Sequence, residues 1–122
     1  DAAGISVPGR GIKESSPPPQ FDLERCLDDV RTIEAIAPET LCFGHFGAVP
    51  YRPDLMANYK RTLVEWVEAV RQRRAELGDD DAVVEHFADA PEPADVWSER
   101  KARAEERLNV RGVLTALDRG MA

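Results

Sequence analysis

Lysine is almost missing from this chain. Of 16 basic residues only Lys13, Lys60 and Lys101 are lysines, against 23 acidic residues and a net charge of -7. Phosphate backbones are gripped by basic surfaces, so nucleic acid is excluded as a main partner. Long apolar runs are absent too. A helix that spans a bilayer needs about 20 consecutive apolar residues, so membrane-spanning classes are excluded, and no leader pattern opens the chain. A soluble, cytoplasmic protein is the expectation. Cysteine is scarce: Cys26 and Cys42 lie in separate elements, without the close spacing of a zinc knuckle or a redox pair. Two buried free thiols are expected. Histidine occurs twice, as His45 and His86, so any imidazole chemistry must pass through one of them.

With 122 residues, 43% of them hydrophobic, the chain suits one small domain or a piece of a larger one. It begins on Asp1 and not on Met; the expectation is a C-terminal portion whose site partners lie upstream. Residues 1–20 are rich in Gly, Pro and Ser. "GISV" suits a short strand, the rest reads as loop, and Pro17–Pro19 should be extended and stiff. Leu23, Leu27, Val30, Ile33 and Ile36 recur at helical spacing and predict a helix over 22–37, with Asp22 as N-cap and Pro38 ending it. "TLCFGH" then reads as a short buried strand, the second half of an α/β unit.

A helix is predicted over 53–77, entered by Pro53 and capped by Gly78. Leu55, Tyr59, Leu63, Trp66, Val67 and Val70 form its apolar stripe. "GDDDAVVEHF" starts a short third helix. A fourth is expected over 93–108, and a last one capped by Asn109.

Several patterns imitate sites. "GRGIKES" lacks the order of a phosphate loop. "DDD" at 79–81 lacks the spacing of a calcium loop and reads as a solvated helix start. His86 reads as a partly exposed helix residue. His45 differs: it follows a strand and stands between Gly44 and Gly47, which let a ligand approach the backbone. A buried, satisfied histidine is the competing reading. A lone histidine holds no metal; carboxylates or further imidazoles are needed.

"DAAG", a Pro-rich loop, "PPPQFDLE", a helix and "TLCFGHFG" together resemble the C-terminal part of the metallo-β-lactamase-fold hydrolases, most nearly the glyoxalase II-like branch. The resemblance covers about the first fifty residues well and the helical tail loosely. It implies that residues 1–52 end a four-layer αβ/βα domain and that 53–122 form a helical C-terminal extension. The chain itself would be mainly α with a short β component. Asp1 matches the carboxylate that bridges two metals in that family, and His45 the last histidine ligand. The family's H-x-H-x-D-H motif and a further histidine are absent from this sequence. The resemblance implies a divalent metal, usually zinc, two ions in the parent, and hydrolysis of an ester, thioester or related bond in a small-molecule substrate by metal-activated water. The chain alone should be inactive, and its uncovered apolar surface should drive it into a homo-oligomer.

"PPPQF" would form one wall of the pocket. Tyr51, Tyr59 and Lys60 are weighed as substrate contacts, with packing and surface roles expected for each. The rival from another class is a non-catalytic helical interaction module that presents Trp66, Trp97 or the Arg71–Arg74 cluster to a partner protein. Asp1 and His45 directed at one spot at strand ends would favour the hydrolase; His45 buried in the helical core with both nitrogens bonded to the chain would favour the module. A nuclease relative fits poorly with the acidic charge.

Overall fold

The computed structural model describes residues 2–122. In chain order it contains β1 (Ile5–Val7), β2 (Gly11–Lys13), α1 (Leu23–Ile36), β3 (Thr40–Phe43), β4 (Gly47–Pro50), α2 (Pro53–Leu77), α3 (Asp80–Ala88) and α4 (Glu99–Asp118). Helices take up more than half of the chain. The strands make two separate antiparallel pairs, β1 with β2 and β3 with β4. The fold is mixed α/β and mainly helical. Two compact units divide it: one takes the chain as far as Ser15 plus Leu23–Trp66, the other Ser16–Asp22 plus Val67–Ala122.

The first unit buries Ile5, Val7, Leu27, Val30, Met56, Tyr59 and Leu63. Val30 of α1 and Met56 and Tyr59 of α2 form a cluster against which Ala3, Ile12, Ile33, Leu41, Tyr51 and Leu55 pack. The predicted stripe of α1 is thus buried at its centre, but its last member, Ile36, is 68% exposed, because the helix stops there and Ala37 turns left-handed at φ 46. "GISV" does hold a strand. The following "GRGIK" is not all loop: the left-handed Gly9 and Gly11 return the chain as β2, with Ile5 opposite Lys13. Residues 17–19 are not extended throughout either, for the Pro18–Pro19 peptide is cis and residues 18–20 form a turn.

Tyr59 is 2% exposed. Burial pushes its hydroxyl well above the ordinary tyrosine range, the nearby Cys26 and Glu14 add to this, and a main-chain hydrogen bond from Ser15 pulls the other way. The folded chain therefore keeps the Tyr59 proton at a pH where the unfolded chain releases it. This contribution to stability is complete below pH ~10 and is lost as pH rises beyond it, at about 1.4 kcal/mol per pH unit. Urea melts at rising alkaline pH should show this loss in the wild type, and Tyr59→Phe should remove it. Equal slopes in the two proteins would contradict the assignment.

The second unit buries Phe21, Val67, Val70, Val83, Val84, Ala102, Val110, Val113 and Leu114. Asp79 caps α3 by accepting from the Ala82 amide at 2.8 Å. Asp80 pairs with Arg74 at 2.8 Å and Asp81 with Arg111 at 3.2 Å, so "DDD" is the helix start that the sequence suggested. The two predicted final helices are one helix, α4, capped by Ser98. Asn109 does not start a helix. It sits inside α4, 3% exposed, where its side-chain oxygen accepts from the Ser16 amide at 2.9 Å while its carbonyl accepts from the Ser16 hydroxyl at 2.9 Å. An asparagine whose oxygen serves a distant backbone donor resembles a cap in sequence and is none in space.

Candidate functional site

Phe43 faces Gly47 across the β3–β4 ladder, so Gly44, His45 and Phe46 make a three-residue turn. Phe46 at φ 65 and Gly47 at φ 90 close it with left-handed backbone, a common way for such loops to match strand twist. "TLCFGH" is therefore not a buried strand of an α/β unit. It is the first arm of an antiparallel hairpin whose side chains alternate between half-buried and exposed. Two apolar runs separated by three residues that include glycine carry the hairpin signal; the strand reading missed it because the run after the turn is short and ends in proline.

His45 is exposed at the hairpin tip. It is not buried in the helical core, the placement that would have favoured the interaction-module reading. Asp1, the other expected ligand, lies outside the described residues. Its neighbours do not. Ala2, Ala3 and Gly4 line a cavity of ≈ 360 Å³, and Leu41, Cys42, Phe43 and Gly44, which lead directly to His45, line it too, with Ile33. The chain just after Asp1 and the chain just before His45 thus border the same space, within one unit.

Gly4 makes this approach possible. At φ 76 it adopts a conformation that L side chains rarely take, and a Cβ there would lie 2.5 Å from the Lys13 carbonyl oxygen and 2.5 Å from the Tyr59 ring. Only glycine lets the segment after Asp1 pass between β2 and α2. The sequence reading named Gly44 and Gly47 and missed Gly4; "AAGIS", small residues before a strand, was the available signal.

Among the described residues no group of three or more His, Cys, Asp or Glu comes together. His45 does not find a complete donor set there, and these residues alone do not fit a metal centre. The cysteines are not the buried pair expected: Cys26 is half-buried, and Cys42 is exposed because its side chain falls on the outer face of the hairpin. Neither joins a ligand cluster.

The other weighed residues have structural partners. Tyr59 is core, Tyr51 packs against the Val30–Met56–Tyr59 cluster, and Lys60 pairs with Glu34 at 2.7 Å. Trp66 and Trp97 are half-buried under Lys13 and Lys101, at 5.9 and 4.8 Å. The Arg71–Arg74 cluster is engaged by its own chain. Arg71 holds Glu68, Arg73 holds Glu76, and Arg74 holds Asp80 and Asp118. The Asp118 hydrogen bond, first among these contacts, raises the Arg74 pKa further. His86 is exposed on α3 and meets Phe87 edge-on at 5.2 Å. No helix among the described residues is long and apolar enough to cross a membrane.

No protein-family model, no curated protein and no solved structure matches this chain.

Proposed function

We propose that this chain is the C-terminal part of a metallo-β-lactamase-fold, metal-dependent hydrolase, in which Asp1 and His45 are ligands of a metal centre completed by donors from outside this sequence. The observation that supports the reading is the shared cavity: Ala2–Gly4, which follow Asp1 in the chain, and Leu41–Gly44, which precede His45, border one space. Asp1 would supply a carboxylate and His45 an imidazole to that centre, the donor types such hydrolytic metals take. Zinc is the metal the family resemblance implies, and the ions would supply an activated water for attack on an ester, thioester or related bond.

The chain's own part is to hold its two donors in place. The β3–β4 hairpin holds His45 at its tip, clear of the core. Gly4 lets the described start of the chain run close against Lys13 and Tyr59. The small side chains of Ala2 and Ala3 leave room for a ligand in the cavity.

By itself the chain should retain no stoichiometric metal and no hydrolase activity, because two donors do not hold a catalytic ion against dialysis. Elemental analysis after dialysis should find well under one metal ion per chain. One or more tightly held ions would overturn the two-donor account.

A further inference from the structure

We propose that the cavity between the β1–β2 turn and the first turns of α2 is a binding site for a small organic monocarboxylate, held by Arg10 and Arg52. The cavity measures ≈ 240 Å³ and lies within the first unit. Ile12, Leu55 and Tyr59 supply its apolar lining. Arg10, Arg52, Asn58 and Thr62 bring hydrogen-bond donors, and Asp54 is the one acid among the described lining residues.

Both arginines stand on fixed backbone. Val7 faces Gly11 across the β1–β2 ladder, so Pro8, Gly9 and Arg10 make a three-residue turn. The Arg10 amide donates to the Val7 carbonyl at 3.0 Å, with left-handed glycines on either side. A Cβ added at Gly11 would meet nothing within 4 Å, so the backbone beside Arg10 is open to a ligand. Arg52 stands just before α2, and its carbonyl accepts from the Leu55 amide at 3.0 Å. Two guanidinium groups from two elements thus border one void.

Charge selects the ligand class. The guanidinium fork matches the two oxygens of a carboxylate. Arg10 and Arg52 against Asp54 leave an excess of one positive charge at the cavity, in a chain whose net charge is -7. That excess balances a monoanion, and the Asp54 carboxylate works against a dianion. The apolar lining suits a ligand with a hydrocarbon body.

The existing contacts leave these groups available. Arg52 meets Asp54 in a single 3.5 Å contact between side chains 69% and 63% exposed, whereas Arg107 holds Glu85 by two hydrogen bonds at 2.9 Å. Exposed pairs of the first kind contribute little, so a ligand carboxylate displaces Asp54 from Arg52 at small cost. Asn58 accepts from Arg61 through its side-chain oxygen, which leaves its NH₂ group to donate. This cavity shares no described lining residue with the one that Ala2–Gly4 and Leu41–Gly44 border, so the inference is independent of the metal-ligand reading.

Isovalerate, titrated at constant ionic strength into the ¹⁵N-labelled chain, tests the proposal. The amides of Arg10–Ile12 and Asp54–Leu55 should shift together and saturate, with a dissociation constant of about 10 mM or tighter. The neutral isovaleramide and the dianion sulfate should each bind at least about tenfold more weakly. Arg10→Gln and Arg52→Gln should each weaken isovalerate at least about tenfold, with an unchanged circular dichroism spectrum. Arg100→Gln on α4 should leave its binding unaltered. No saturable shift at these amides, isovaleramide or sulfate bound as tightly as isovalerate, or either cavity variant binding like the wild type would each overturn the proposal.

Discussion

Gly112→Ala should destabilise the second unit by about 3 kcal/mol or more, although the same change at an ordinary helix position stabilises by about 1 kcal/mol. Gly112 lies inside α4. A Cβ there would fall 1.6 Å from the Ser16 carbonyl oxygen, 2.7 Å from its carbon and 3.0 Å from the Pro17 carbon. All three are backbone atoms, so no side-chain rotation relieves the overlap. The Ser16–Pro17 segment would have to move. It would then lose the paired hydrogen bonds between Ser16 and Asn109, both buried, and leave polar groups of α4 unsatisfied. Chemical denaturation should show a large fall in midpoint. A stabilised variant would mean that the segment does not lie against α4.

Gly4→Ala should cost a comparable ~3 kcal/mol in the first unit, from two sources. The left-handed backbone alone accounts for about 1–2 kcal/mol. The remainder comes from contact at 2.5 Å with the Lys13 carbonyl oxygen and the Tyr59 ring, and at 2.8 Å with Ile12. The ring is core, and the carbonyl belongs to the β1–β2 pair. Gly9 and Gly11 separate the two terms, because both have positive φ and neither has an atom within 4 Å of an added Cβ. Alanine at either should show the backbone term only. Denaturation of the three variants side by side should place Gly4→Ala well below the other two. Equal effects would mean that crowding at Gly4 contributes nothing.

The helices were the legible part of this fold. Leu55, Tyr59, Leu63, Val67 and Val70 recur at helical spacing, and α2 runs from Pro53 to Leu77 with Gly78 left-handed after it, as proline entry and glycine exit suggest. Local signals sufficed there because the start, stripe and stop lie within one element. α4 was misread as two helices because Asn109 looks like a helix cap, and Gly112 inside it gave no sign of its role. Both answer instead to Ser16 and Pro17, more than ninety positions away in the chain. The hairpins were hidden for a similar reason. Strands of three or four residues carry too few alternations to declare a period. At the candidate site, His45 stood out through its flanking glycines and its scarcity, but its place at a hairpin tip did not. Gly4 passed unremarked because its need for φ 76 arises from Lys13 and Tyr59, which no local pattern joins to it.

The central claim is that the start of the chain and the hairpin tip serve one ion. Titration of the isotope-labelled chain with Mn²⁺, followed by paramagnetic broadening of its amide resonances, tests this directly. The account predicts that the amides of Ala2–Gly4 and Gly44–Phe46 broaden together with one apparent affinity, and that His45→Ala abolishes both effects. Broadening of one segment without the other, or of neither while the Asp79–Asp81 amides broaden, would contradict it.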